Sequence, residues 1–251
     1  MIEVLAGAEP FHFKGNRTAV LVLHGFTGTT QSVRYLGQEL NRRFGFTTLG
    51  PRLKGHGTSP DDMETTGYLD WVESAEEALH ELAKINGQVC IAGLSMGGTL
   101  ALNLAARFPA IVSAIAPING PAGILEPGLI ELLMTRSAPA RVPGIGSDIK
   151  AKDVSELAYS EVPVACLRQV VLLVGATGQL LQKITCPVLA LHSREDHVVP
   201  PQNGVRIVQS VSSADARLLW LSDSYHVATL DNDKDLIVDR VGTFFSECSG
   251  K

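Results

Sequence analysis

The chain alternates short apolar runs with apolar residues at helical spacing, and this beat is the strongest constraint on its fold. Ala19-Val-Leu-Val-Leu23 is apolar throughout, the pattern of a strand covered on both faces. Val33, Leu36, Leu40 and Phe44 then recur along one helical stripe. Phe46–Leu49 reads as a short strand, followed by a Gly/Pro-rich loop from Gly50 to Pro60. Tyr68, Val72, Ala75, Leu79 and Leu82 define one face of a long helix with acidic residues opposite. Val89–Ala92 is the next strand, Met96–Phe108 a helix stopped by Pro109, and Val112–Ala116 a strand again. After a break the beat resumes: a strand at Pro187–Leu191, a helix over Gln202–Val211 and a strand at Arg217–Leu221. Ile237, Val241, Phe244 and Phe245 mark a last helix. Such alternation predicts the α/β class, a mostly parallel central sheet flanked by helices.

The break spans about 119–184, where Pro121, Pro127, Pro139, Pro143 and several glycines precede helix-like pieces. Residues 1–118 and 185–251 are therefore read as one core domain, and 119–184 as an insertion at one end of the sheet. A chain of 251 residues buries roughly 70% of its unfolded surface, enough for a core without disulfides or metals. Hydrophobic residues at 45% and charged residues at 19% exclude a disordered chain, a collagen-like repeat and a disulfide scaffold. A net charge of −5 argues against nucleic acid as a partner, which calls for a basic face. No apolar run reaches the roughly 18 residues of a membrane span. Met1-Ile-Glu-Val-Leu lacks the basic start of a secretory leader. Cys90, Cys166, Cys186 and Cys248 form no CxxC pair and read as reduced thiols of a cytoplasmic protein. With no HExxH and no convincing third ligand near His192 and His197, neither a metal nor a cofactor is expected. Monomer and dimer both remain open.

Gly93-Leu-Ser-Met-Gly-Gly98 lies between the strand at Val89 and the helix from Met96. This is GxSxG in the strand–turn–helix setting that lifts a serine above a sheet. Elsewhere the same string is a Gly-rich turn with an idle serine. The helix beginning at Met96 adds the positive end of a dipole beside Ser95. His24-Gly-Phe-Thr-Gly28 follows the first strong strand and reaches the same carboxyl edge. The backbone N–H groups of Phe26 and Met96 are thus candidate oxyanion donors. His24 precedes the serine and reads as a structural histidine ordering its loop.

A serine is a weak nucleophile without a base. In this setting the chain order is serine, acid, histidine, and only His192, His197 and His226 of the seven histidines follow Ser95. His226 comes just after the strand Arg217–Leu221. His197 adjoins its would-be acid, and His192 has no strand-ending acid before it. The acid belongs after the penultimate strand, in Arg194-Glu-Asp-His197. Asp196 is the choice; Glu195 points elsewhere on the turn, and Asp223 is too close to His226. Ser95, Asp196 and His226 are therefore the predicted catalytic residues.

A second motif competes. Val170-Val-Leu-Leu-Val-Gly-Ala-Thr-Gly178, with an acid about 20 residues on, looks like a dinucleotide fingerprint. That reading makes the chain an NAD-binding oxidoreductase. Against it, Leu181 stands where the third glycine belongs, and too little chain remains for a six-stranded nucleotide fold.

Five strings together resemble the α/β-hydrolase fold, in its bacterial carboxylesterase and monoacylglycerol lipase branch. They are His24–Gly28, Pro51-Arg-Leu-Lys-Gly-His-Gly57, Gly93–Gly98, Glu195-Asp-His-Val-Val-Pro200 and Ser224-Tyr-His-Val-Ala-Thr-Leu230. The similarity extends to Ile145-Gly-Ser-Asp-Ile-Lys150 within the insertion. The resemblance implies an esterase acting on monoacylglycerols or other short-to-medium-chain acyl esters. A thioesterase or carbon–carbon bond hydrolase would use the same triad. It also implies that 119–184 is a cap over the active site and that Val170–Gly178 is an apolar cap helix lining the acyl site. Glu156 would hold glycerol hydroxyls, although it could equally be a solvated helix carboxylate. Ile145 would line the narrowing between acyl and alcohol sites. Gly175 and Gly178 predict an irregular helix after Val162.

Overall fold

The computed structural model describes residues 3–249. β1 (Phe11–Phe13), β2 (Ala19–Leu23), α1 (Gln31–Phe44), β3 (Thr47–Gly50), α2 (Pro60–Glu64), α3 (Tyr68–Asn86), β4 (Val89–Leu94), α4 (Met96–Arg107) and β5 (Val112–Ile118) come first. The irregular middle holds α5 (Pro127–Met134), β6 (Arg141–Pro143), β7 (Glu161–Pro163) and α6 (Val164–Gly178). β8 (Val188–Ser193), α7 (Gln202–Ser210), β9 (Ala216–Leu221) and α8 (Lys234–Ser249) follow.

Seven strands form one sheet in the order β1-β3-β2-β4-β5-β8-β9. All neighbours are parallel except the antiparallel edge pair β1–β3. Side chains alternate across a strand, so the fully apolar β2 serves two cores at once. Ala19, Leu21 and Leu23 face the core shared with α3 and α4. Val20 and Val22 face the core shared with α1 and α8. Being covered on both faces is why this strand tolerates no polar residue.

Outside the insertion two elements went unread in the sequence, and within it the short pair β6–β7 did as well. β1 is three residues long and too short for its alternation to register. α2 follows Ser59-Pro60, where Ser59 Oγ accepts the Asp62 N–H (3.2 Å) and Pro60 opens the helix. The expected irregularity of the helix after Val162 is corrected: α6 runs unbroken through Gly175 and ends at Gly178. A Cβ on Gly175 would meet open space, so that glycine costs only about 1 kcal/mol of propensity. The same helix excludes the dinucleotide reading, because Val170–Gly178 is helical where the fingerprint needs a strand and a turn.

Between β5 and β8 the chain leaves the sheet and is tied back to it. Arg141 on β6 pairs with Asp61, with Glu64 (3.1 Å) on α2, and with Glu161 on β7 (2.6 Å). Tyr159 donates its hydroxyl to the Gly55 carbonyl (2.9 Å). Asn103 on α4 donates to Thr177 Oγ1 on α6 (3.1 Å), both side chains buried. No helix among the described residues is long and apolar enough to cross a membrane.

Candidate active site

Ser95 sits between β4 and α4 at φ +54°, a left-handed conformation that costs a non-glycine residue about 1–3 kcal/mol. Its surroundings enforce it. The Ser95 N–H donates to the Ile118 carbonyl (2.8 Å), and the Ser95 carbonyl accepts the Gly98 N–H (2.8 Å). Gly93 and Gly97 let strand and helix close on each other. A Cβ on Gly93 would strike the Gly97 backbone, and one on Gly97 the Leu23 and His24 carbonyls.

The three predicted side chains meet at the carboxyl edge of the sheet. His226 Nε2 lies 2.9 Å from Ser95 Oγ. Its Nδ1 lies 3.0 and 2.9 Å from the two Asp196 oxygens. With Asp196 ionised, Nδ1 carries the proton and Nε2 is left to accept. Asp196 Oδ1 also accepts the N–H groups of Val198 (2.9 Å) and Val199 (2.8 Å). Burial pushes this carboxyl up, but the His226 charge and these donors outweigh it and hold Asp196 below its ordinary value. For His226 burial acts downward. The Asp196 charge and hydrogen bond, with the charges of Glu156 and Asp148, overcome it and raise the imidazole.

The rejected candidates are accounted for. His192 is buried behind Asp196, with Nε2 3.6 Å from Oδ2, and burial lowers its pKa. The His197 ring turns to Asp148 (2.8 Å). Glu195 and Asp223 are exposed and face Lys150 at 3.6 and 3.3 Å.

The loop from His24 to Gly28 lies against the serine, for a Cβ on Gly25 would stand 3.2 Å from Ser95 Cβ. Phe26 and Thr27 line the small cavity that Ser95 and His226 share, and Met96 opens α4 directly after Ser95. His24 is structural, as expected. It accepts the Leu53 N–H at Nε2 (3.2 Å), so Nδ1 holds the proton and donates to the Gly25 carbonyl (2.9 Å). Burial lowers its pKa to about 4, which keeps it neutral. The string Pro51–Gly57 packs beneath this loop: the His56 ring is 6.1 Å from Phe26 and 5.6 Å from Trp71.

Ile145 and Glu156 border the same cavity as Ser95. Glu156 is not a solvated helix residue; it lies in the segment between β6 and β7 with its carboxyl turned inward. Burial raises that carboxyl to about 7, against the opposing pull of His226 and a hydrogen bond from Ser32. Gln31 clamps the backbone on either side of Glu156, accepting the Leu157 N–H (3.0 Å) and donating to the Ser155 carbonyl (3.3 Å).

Sequence reading missed Asn119, Asp148 and Asp231. Asp231 is buried and accepts the N–H groups of Lys150, Ala151, Tyr225 and Asn232, each at 2.8 Å. It fastens the segment carrying Ile145 and Asp148 to the loop carrying His226. A lone aspartate six residues from its partner in one loop and eighty from the other leaves no spacing signal. Asp148 lay within a matching string, but nothing in the string shows which loop it faces.

The parallel sheet, the strained serine turn and the order serine–acid–histidine together define a serine hydrolase of the α/β-hydrolase fold. Comparison with known proteins narrows this. The profile of the serine aminopeptidase, S33, family matches residues 14–233, and the chain belongs to that family. It is 45% identical over 249 residues to a thermostable monoacylglycerol lipase of Bacillus sp. (strain H-257), covering 98% of each chain. It is 31% identical over 243 residues to a carboxylesterase of Bacillus subtilis (strain 168), covering 95% of this chain and 96% of that one. A solved structure from work on the metagenome-derived lipolytic enzymes LipS and LipT superimposes with a TM-score of 0.94 at 44% identity. It covers 98% of this chain and 100% of its own.

Proposed function

We propose that the protein hydrolyses carboxylic esters through an acyl-enzyme on Ser95, with short-to-medium-chain monoacylglycerols as its substrate class. The observation that carries this reading is the continuous relay Ser95 Oγ–His226 Nε2–Nδ1–Asp196. The substrate class is supported by the names and 98% coverage of the relative above.

Ser95 Oγ attacks the ester carbonyl as its proton passes to His226 Nε2. Asp196 holds the ring and stabilises the imidazolium. The N–H groups of Phe26 and Met96 take the oxyanion, each worth about 2.7–4 kcal/mol of barrier. His226 then protonates the leaving glycerol oxygen. It next takes a proton from water, and the hydroxide equivalent releases the fatty acid and frees Ser95.

Residues 119–184 act as the cap. Its apolar character supports this: Leu129, Leu132 and Leu133 of α5 pack with Val170 of α6 against the core. Glu156 holds the glycerol hydroxyls and Ile145 lines the narrowing, consistent with their sharing one cavity with Ser95. A cytoplasmic location fits the four cysteines, which are thiols among the described residues.

The test is fatty-acid release from a medium-chain 1-monoacylglycerol and the matching diacylglycerol, with Ser95→Ala as control. Serine-dependent release from the monoacylglycerol alone is expected. Release from neither would move the natural substrate to another ester or a thioester.

A further inference from the structure

His226 is held through its peptide group as well as its ring. Its backbone N–H donates to Asp148 Oδ2 (3.0 Å), and its carbonyl accepts from Asn119 Nδ2 (2.7 Å). The two side chains come from separate parts of the chain. Asn119 directly follows β5, and Asp148 lies between β6 and β7. We propose that Asn119 and Asp148 are positioning residues for His226, gripping the peptide group that carries the imidazole and so setting the ring between Ser95 and Asp196. This rests on the reading of His226 as the base.

Asn119 is built as a rigid bracket. It is fully buried and adopts φ +48°, a conformation asparagine tolerates better than most residues. Its Oδ1 accepts the Ser193 N–H (2.7 Å), and its Nδ2 also reaches Ser193 Oγ (3.0 Å) and the Tyr225 carbonyl (3.2 Å). Ser193 Oγ donates to the same Tyr225 carbonyl (2.8 Å). Turning the amide over would set its oxygen against two carbonyls, so one orientation is locked. The ends of β5 and β8 thereby hold the loop of the base directly.

Asp148 joins the loops of acid and base. Oδ1 pairs with His197 Nδ1 (2.8 Å), and Oδ2 accepts the His197 N–H (3.3 Å) beside that of His226. His197 is the residue after Asp196. The Asp148 carbonyl also accepts the Val227 N–H (3.0 Å). Asp231 in turn fixes the chain just beyond it, at Lys150 and Ala151. The charged groups facing His226 are Asp196, Glu156 and Asp148, with His192 on the far side of Asp196. Asp148 therefore contributes negative charge as well as geometry, and removing that charge must lower the imidazole pKa.

Misplacing a reacting group by about 1 Å costs on the order of 100-fold in rate, so loosening one of two grips is expected to cost about tenfold. The experiment measures kcat and KM on a medium-chain 1-monoacylglycerol across pH for the wild type, Asp148→Asn, Asp148→Ala, Asn119→Ala and His226→Ala. Each is assayed well below its own thermal midpoint. In Asp148→Ala and Asn119→Ala, kcat should fall about tenfold with KM within about twofold. In Asp148→Asn the acid limb should move to lower pH. Wild-type kcat and an unmoved limb in both Asp148 variants overturn the proposal. So does a loss of kcat that only tracks the folded fraction with the limb in place. Should Asn119→Ala fail to fold, the Asp148 pair decides alone, since the amide keeps the carboxylate's shape. Wild-type turnover by His226→Ala would instead show that the reading of the base had failed. An inactive His226→Ala beside fully active Asp148 variants sinks the positioning role alone.

Discussion

Gly28 leaves the space that the Glu156 carboxyl occupies: a Cβ on Gly28 would collide with Glu156 Oε1. The atom in the way is the tip of a flexible side chain, so an added methyl displaces it at little cost to the fold.

Gly28→Ala is therefore expected to cost no more than about 1 kcal/mol of stability, because Gly28 is buried but the atoms that must give way belong to a side-chain tip. It should raise KM for a monoacylglycerol while KM for a simple acyl ester with no hydroxyls on its alcohol changes little. Equal changes on both substrates would separate Glu156 from alcohol recognition.

Glu156→Gln should stabilise the protein at alkaline pH. The folded-state pKa of Glu156 is raised from 4.5 to about 7. Its contribution is thus fully present below the unfolded value and is lost as pH rises through about 7. A neutral amide avoids that loss, worth on the order of 2 kcal/mol after allowing for the partial exposure of the residue. For a chain of this size each kcal/mol moves Tm by about 2–4 °C. Thermal midpoints of the two proteins should diverge at pH 9 and converge near pH 4.

Activity should fail on the acid side at a pH above the ordinary imidazole value of 6.5, because His226 is raised and only its neutral form accepts the Ser95 proton. A kcat/KM profile measures this directly. An acid limb below 6.5 in the wild type would contradict the charge arrangement around the ring.

Asp231→Ala should destabilise the fold by about 3 kcal/mol or more. It strands four N–H groups that a buried carboxylate now accepts, and each unsatisfied group costs about 1–3 kcal/mol unless water replaces the partner. Chemical denaturation gives the stability. Limited proteolysis should cut first near Lys150 and Lys152, where the fastening is lost.

Much of the fold was legible because its rules are local. The apolar runs at β2, β4 and β8 announce strands covered on both faces, and the stripes in α1 and α3 announce helices resting on them. β1 escaped because three residues are too few to show a period. α6 was misjudged because a glycine is read as a breaker wherever it falls, whereas Gly175 faces open space and the helix passes through it.

The sites divide in the same way. Chain order and strand ends were enough to pick out Ser95, Asp196 and His226 as side chains that meet, because the elbow imposes an order and the sheet presents one edge for chemistry. They could not select Asn119, Asp148 or Asp231, which bind backbone groups, and a backbone N–H or carbonyl is the same at every residue. No sequence pattern marks which peptide a buried carboxylate will grip.

By itself, then, the sequence determined the parallel sheet, its two cores and which side chains could meet at its edge, since periodicity and loop position are properties of neighbouring residues. Only the tertiary structure decided the depth of Glu156, the neutral state of His24 and the double hold on the His226 peptide. Those depend on desolvation and on hydrogen bonds between segments 29 to 126 residues apart, which exist only once the chain has closed on itself.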